Sequence, residues 1–164
     1  MLPRPEFMDA ADDNEVAAGK LRVRTVWISD LHLGTPGCQA KALLDFLRDV
    51  HCETLYLVGD IIDGWQLRRS WYWPQAHNDV VQKLLRKARK GTRVVFVPGN
   101  HDEFARHFVT HTFGGIEVVE QVLQPLNQIG AAALHGRRHH LRVGVGEVGR
   151  RQRVDQLAGM ELEL

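Results

Sequence analysis

Residues 54–63 read TLYLVGDIID. Five mostly apolar, β-forming residues run into a glycine, and aspartates follow at positions 60 and 63. An apolar run of this length, closed by a turn signal, predicts a strand over Thr54 to Val58 with its polar cluster just past the end. The flanking sequence repeats the arrangement. Upstream, RVRTVWIS (22–29) ends on Asp30-Leu31-His32, and downstream RVVFV (93–97) ends on Pro98-Gly99-Asn100-His101-Asp102. Between the runs the period changes. Leu43, Leu44, Phe46, Leu47 and Val50 recur at helical spacing over residues 39–50. Val80, Val81, Leu84, Leu85 and Ala88 do so over 74–90, and Gly91 stops that helix. A short helix over 103–111 and a fourth strand over 116–119 complete the pattern. Strands alternating with helices predict an α/β architecture with parallel neighbours.

Composition agrees with a folded domain. The chain has 164 residues, 44% hydrophobic and 25% charged, which argues against a disordered or fibrous protein. Twenty-one basic and twenty acidic residues leave a net charge of +1, so no global field recruits nucleic acid or acidic lipid. Cys38 and Cys52 are too few for a disulfide scaffold. No apolar run reaches the ~20 residues of a membrane span, and the first residues lack a signal-peptide pattern. The expected compartment is the cytoplasm. Residues 1–20 are acid-rich without periodicity and predict a disordered leader. Residues 21–121 form the ordered part. Residues 122–164 are an Arg/Gly-rich tail with six arginines between Gly136 and Arg153 and little amphipathic pattern, which reads as a truncated, out-of-frame or disordered ending.

Each polar cluster alone is ordinary: a D-x-H can be a helix cap, a G-D-x-x-D a turn with an N-cap, a G-N-H-D a turn. Three of them, each after an apolar strand, are not. In an open α/β sheet the carboxyl ends of the strands face one crevice, so the clusters converge. Carboxylate, imidazole and amide oxygen together suit a hard to borderline divalent ion such as Mn2+, Fe2+ or Zn2+.

The ordered set Asp30-x-His32, Gly59-Asp60-x-x-Asp63, Gly99-Asn100-His101-Asp102 resembles the calcineurin-like metallophosphoesterases. ISDLHLG, LYLVGDIIDGW and FVPGNHDEFAR are similar to the bacterial branch that cleaves UDP-2,3-diacylglucosamine. The resemblance covers about residues 24–120. It implies a four-layer α/β sandwich, here represented by its N-terminal part, with two metal ions, Mn2+ foremost. It implies that Asp30 and His32 hold the first metal, that Asp60 bridges, and that Asn100 holds the second. His101 becomes the acid or transition-state stabiliser, Asp102 orients it, and Asp63 supports ligand geometry. The implied reaction is hydrolysis of a phosphoester or diphosphate, with UMP and lipid X as products in lipid A biosynthesis. A calcineurin-like phosphodiesterase or phosphatase of another substrate, or a non-catalytic remnant, are the alternatives. The implied location is the cytoplasm, with a peripheral association on the inner-membrane face, and no particular oligomer follows.

Two departures stand out. The family continues with an H-G-D-like turn and a G-H-x-H. Here Leu134-His135-Gly136 is followed by Arg137, and no G-H-x-H occurs. His135 is therefore a candidate ligand for a second site that is otherwise short of donors. The UDP-2,3-diacylglucosamine branch also carries Arg where this chain has His101, the commoner form across the superfamily. Finally, Trp65, Trp71, Tyr72 and Trp73 surround Arg68 and Arg69. Trp65, Arg68 and Arg69 are candidate contacts to a nucleotide-linked lipid or other phosphoester, the alternative being aromatics packed under the long helix. One short patch on a near-neutral chain does not make a nucleic-acid site.

Overall fold

The computed structural model describes residues 21–121, 129–130 and 141–148. The expected leader and most of the Arg/Gly-rich segment, His135 included, lie outside the described residues. In chain order the elements are β1 (Leu21–Ser29), α1 (Ala40–Asp49), β2 (Val50–Val58), α2 (Gly64–Arg69), α3 (Gln75–Arg89) and β3 (Arg93–Val97). A 3-10 helix (Glu103–Phe108) follows, then β4 (Thr112–Phe113), β5 (Ile116–Val118), β6 (Ile129–Gly130) and β7 (Arg142–Val148).

The strands form one mixed sheet in the order β4-β5-β3-β2-β1-β7-β6. Its members β1, β2, β3 and β5 run parallel to one another. The outer strands β4, β7 and β6 pair antiparallel. Buried side chains face each other across the register: Leu21 with Val50, Val23 with Cys52, Val26 with Leu55, Ile28 with Leu57. Leu43, Phe46 and Leu47 of α1 and Val80 and Leu84 of α3 pack on these strands in one apolar cluster. On the other face Trp27 and Tyr56, also register partners, stack with ring centroids 4.0 Å apart and planes 13° from parallel.

Three elements differ from the expectation. β2 begins at Val50, four residues before the predicted start, because His51 and Glu53 make its first half look polar while Val50 and Cys52 point inward. The segment expected to be helical over 103–111 is a 3-10 helix, closed by the i→i+3 bond from Ala105 N–H to the Asp102 carbonyl at 2.7 Å. The Arg/Gly-rich segment supplies β7, which lies against β1, and Leu141 and Val143 are buried in the same core. Glycines at 144 and 146 mask this strand, since glycine is depleted in strands.

Candidate metal centre

The sheet order decides the site. β3, β2 and β1 are adjacent and parallel, so the turns after Ser29, Val58 and Val97 leave the sheet side by side. Two backbone bonds fasten them: Asp30 N–H donates to the Gly59 carbonyl at 3.2 Å, and Gly59 N–H to the Val97 carbonyl at 2.8 Å. The first two turns stay in step further on, as His32 N–H meets the Asp60 carbonyl at 2.8 Å and Leu33 N–H the Ile61 carbonyl at 2.9 Å. Gly59 has φ +69°, and Gly99 approaches so closely that a Cβ there would lie 2.5 Å from the Asp60 nitrogen and 2.8 Å from the Gly59 Cα.

Asp30, His32 and Asp60 adopt φ values of 56°, 54° and 52°. This left-handed conformation is uncommon outside glycine, although Asp and His are enriched there. Such strain persists where neighbours over-determine it, which is the role of the staples above. One ligand atom from each of Asp30, His32 and Asp60 lies within 4.8 Å of the others. Two carboxylates and an imidazole at that spacing fit a divalent cation by donor chemistry. Asp30 also accepts from Ser29 Oγ at 2.6 Å, and Asp60 Oδ1 accepts the His101 N–H at 3.0 Å.

Asp63 sits behind this group and is buried. Its Oδ1 accepts the Gln66 N–H at 2.8 Å, capping α2. Its Oδ2 lies 3.3 Å from His32 Nδ1 and 3.1 Å from His101 Nδ1. The His101 contact is at ion-pair distance, and among the described residues this buried nitrogen has no hydrogen-bond partner. Burial alone would raise the Asp63 carboxyl. The Gln66 N–H and the two imidazoles outweigh it and hold the group below the ordinary carboxylate range. An ionised carboxylate only accepts, so the Asp63 contact favours the His32 tautomer with its proton on Nδ1. The His101 ring lies edge-on to His32, with centroids 4.9 Å apart, and tilted against Trp65 at 4.4 Å.

Asp102 is placed differently from the expectation that it orients His101. Its fully buried carboxylate accepts the N–H groups of Ile61 at 2.9 Å, Ile62 at 2.6 Å and Gly99 at 3.3 Å. Burial pushes its carboxyl up in spite of those donors, and the nearby Asp60 charge adds to the effect. Asp102 therefore ties the second turn to the third, and the carboxylate beside the His101 ring is that of Asp63. Asn100 is exposed at the tip of the third turn.

The aromatic segment divides. Trp65 and Trp71 are exposed, whereas Trp73 is partly buried against the core. Arg68 and Arg69 lie exposed on the last turn of α2. His77, which the sequence gives no metal role although the resemblance allows it to approach the site, is buried, with Nδ1 accepting the Gly34 N–H at 3.1 Å. The signal for it was its position on the apolar stripe of α3, three and seven residues before Val80 and Leu84. Among the described residues no helix is long and apolar enough to cross a membrane.

The chain is 33% identical over 116 residues to a UDP-2,3-diacylglucosamine hydrolase of Chromohalobacter salexigens, covering 68% of this chain and 46% of that relative. It is 30% identical over 117 residues to the protein of the same name from Cellvibrio japonicus, covering 70% and 48%. The chain thus spans about half the length of the curated relatives it matches. The crystal structure of Pseudomonas putida nuclease MPE is similar over 62% of this chain and 51% of its own, with 24% identity and a TM-score of 0.38. The model of the calcineurin-like phosphoesterases matches residues 23–159, a span that takes in all three strand-end clusters. With those clusters converging at the carboxyl ends of adjacent parallel strands in an α/β fold, the chain belongs to the calcineurin-like phosphoesterase family.

Proposed function

We propose that this chain carries the metal-binding part of a hydrolase of phosphoesters or diphosphates. The observation that supports it most is the convergence of Asp30, His32 and Asp60 within 4.8 Å, with His101 held beside them on Asp63. In this reading Asp30, His32 and Asp60 would hold one divalent ion, and Asp60, Asn100 and His135 would serve a second. Mn2+ is the ion that the family resemblance implies, and the mixed oxygen and nitrogen set suits Fe2+ or Zn2+ as well. When bound, the ions supply charge neutralisation on the phosphoryl group and an activated water. His101, oriented by Asp63, delivers a proton or hydrogen bond to the leaving oxygen through Nε2. Asp102 keeps the two loops in register so that Asp60 and His101 stay together.

The substrate best supported is UDP-2,3-diacylglucosamine, cleaved to UMP and lipid X, on the strength of the relatives' names. The exposed Trp65 and Trp71 suit an acylated substrate or the cytoplasmic face of a membrane, and Arg68 and Arg69 suit its diphosphate. In this organisation residues 21–121 carry the metal-binding clusters, and the segment after them contributes β7 to the same sheet. A second reading, a remnant that binds one ion weakly, is favoured by Arg137, which follows His135-Gly136 where the H-G-D-like turn of the family has Asp.

The test is to load the purified chain with Mn2+, desalt it, count the metal, and assay bis(p-nitrophenyl) phosphate and UDP-2,3-diacylglucosamine. Two retained ions with cleavage of the diphosphate are expected. Cleavage of the simple diester alone would leave the reaction class and remove the lipid substrate. One weak ion or none, without turnover, would establish the remnant.

A further inference from the structure

We propose that His77 is a positioning residue for the metal-binding loop: its Nδ1 holds the loop that carries His32 by accepting the Gly34 N–H. His32 is in a left-handed conformation and needs restraint on both sides. The near side is fixed by its own N–H on the Asp60 carbonyl and by Thr35, whose N–H and Oγ both donate to the His32 carbonyl at 3.2 and 2.9 Å. Gly34, between them, has φ +105° and no room for a side chain, because a Cβ there would meet Leu67 Cγ at 2.8 Å. Its buried N–H therefore points away from the sheet ladder and finds one acceptor, on α3, forty-three residues later. A buried donor left without a partner is destabilising, so the imidazole is the part that fixes this turn to the helix layer.

The ring is suited to the task. His77 is 2% exposed. Trp73 and Tyr72 meet it edge-on at 5.6 and 5.7 Å, with interplanar angles of 86° and 77°. An accepting Nδ1 requires the Nε2–H tautomer, and that is also the neutral form burial favours. The aromatic segment thus clamps the histidine, and the histidine clamps the loop. Its effect on metal binding rests on the metal-centre reading given above, whereas its effect on the loop does not.

Three full-length proteins decide the matter: wild type, His77→Phe and His77→Asn. Phenylalanine keeps a flat ring without an acceptor. The asparagine oxygen reproduces an acceptor near the Nδ1 position. In metal-free protein, two-bond 1H–15N spectra should show the wild-type His77 protonated on Nε2 and bare on Nδ1. The Gly34 amide should exchange at least about ten-fold faster in His77→Phe than in wild type, with His77→Asn close to wild type. Mn2+ affinity should fall about ten-fold in His77→Phe and recover in His77→Asn. A protonated Nδ1, or equal Gly34 protection in a folded His77→Phe, would overturn the proposal. Should His77→Phe fail to fold, the tautomer and the Gly34 protection in His77→Asn decide alone. Wild type that binds no Mn2+ would end the hydrolase reading, and the amide and tautomer readouts would still decide the role of His77.

Discussion

The Asp102 carboxylate accepts the Ile62 N–H at 2.6 Å across forty residues of sequence, joining the turn after β3 to the turn after β2. Its other oxygen reaches Ile61 and Gly99. Asp102→Ala would strand all three amides in a buried site. It should lower unfolding stability by about 3–5 kcal/mol in urea titration. Asp102→Asn keeps one acceptor oxygen and should lose less. Equal stability of the alanine variant and wild type would show that the amides find other partners.

Asp63 divides its oxygens between a helix cap and two imidazoles, and this allows a clean separation of roles. Asparagine caps helices as well as aspartate does, so Asp63→Asn should melt within about 1 kcal/mol of wild type. It supplies no negative charge to the histidines. Hydrolysis of bis(p-nitrophenyl) phosphate should therefore drop at least about a hundred-fold, and Mn2+ affinity about 10–100-fold.

Gly99→Ala would place a methyl group against Asp60 and Gly59 backbone. The expected outcome is a folded protein by far-UV circular dichroism with Mn2+ affinity reduced at least about ten-fold, because the contact displaces Asp60. Unchanged affinity would mean the two turns can separate without disturbing the ligands.

A cation that binds the folded chain stabilises it by mass action. Mn2+ at about one hundred times its dissociation constant should add about 2.7 kcal/mol, read as a rise in melting temperature that a chelator reverses. Asp60→Asn should show no such rise, which ties the effect to this centre.

A control lies at the far edge of the sheet. Arg93 pairs with Glu117 through two hydrogen bonds of 3.0 and 2.9 Å, and that pairing holds the Glu117 carboxyl below its ordinary value of 4.5. A depressed carboxyl stabilises the fold above the unfolded value and stops doing so as pH falls through the lower folded value. Both side chains are substantially exposed, so the pair is worth about 0.5 kcal/mol. Wild type should exceed Glu117→Gln by that amount at pH 7, and the gap should close as pH falls through the lowered Glu117 value. Metal affinity should be indifferent to this change.

Much of the fold was legible because its signals are local. The strand beginning at residue 93, the long helix and the turn after Val58 each announce themselves by period and punctuation. β4 and β6 have two residues each and α2 six, too short for any period to register. β7 hid because its inward valine alternates with glycine. The convergence of the three clusters was legible from strand order. The division of labour between the aspartates was not, since Asp63 and Asp102 follow similar motifs and differ only in which amides and imidazoles the folded turns bring to them. His77 was hidden for a related reason: its partner is a backbone amide, and a sequence displays no amide as special.

The left-handed turns at Asp30, His32 and Asp60 carry a consequence for natural variation in this chain. Asparagine accommodates that backbone at least as readily as aspartate, and it removes the mutual repulsion of two carboxylates whose oxygens lie within 4.8 Å of each other. Drift toward asparagine at positions 30 and 60 would leave a sturdier apo-protein and a blind one. On the metal-centre reading, keeping both acids would exchange durability of the apo-protein for chemistry.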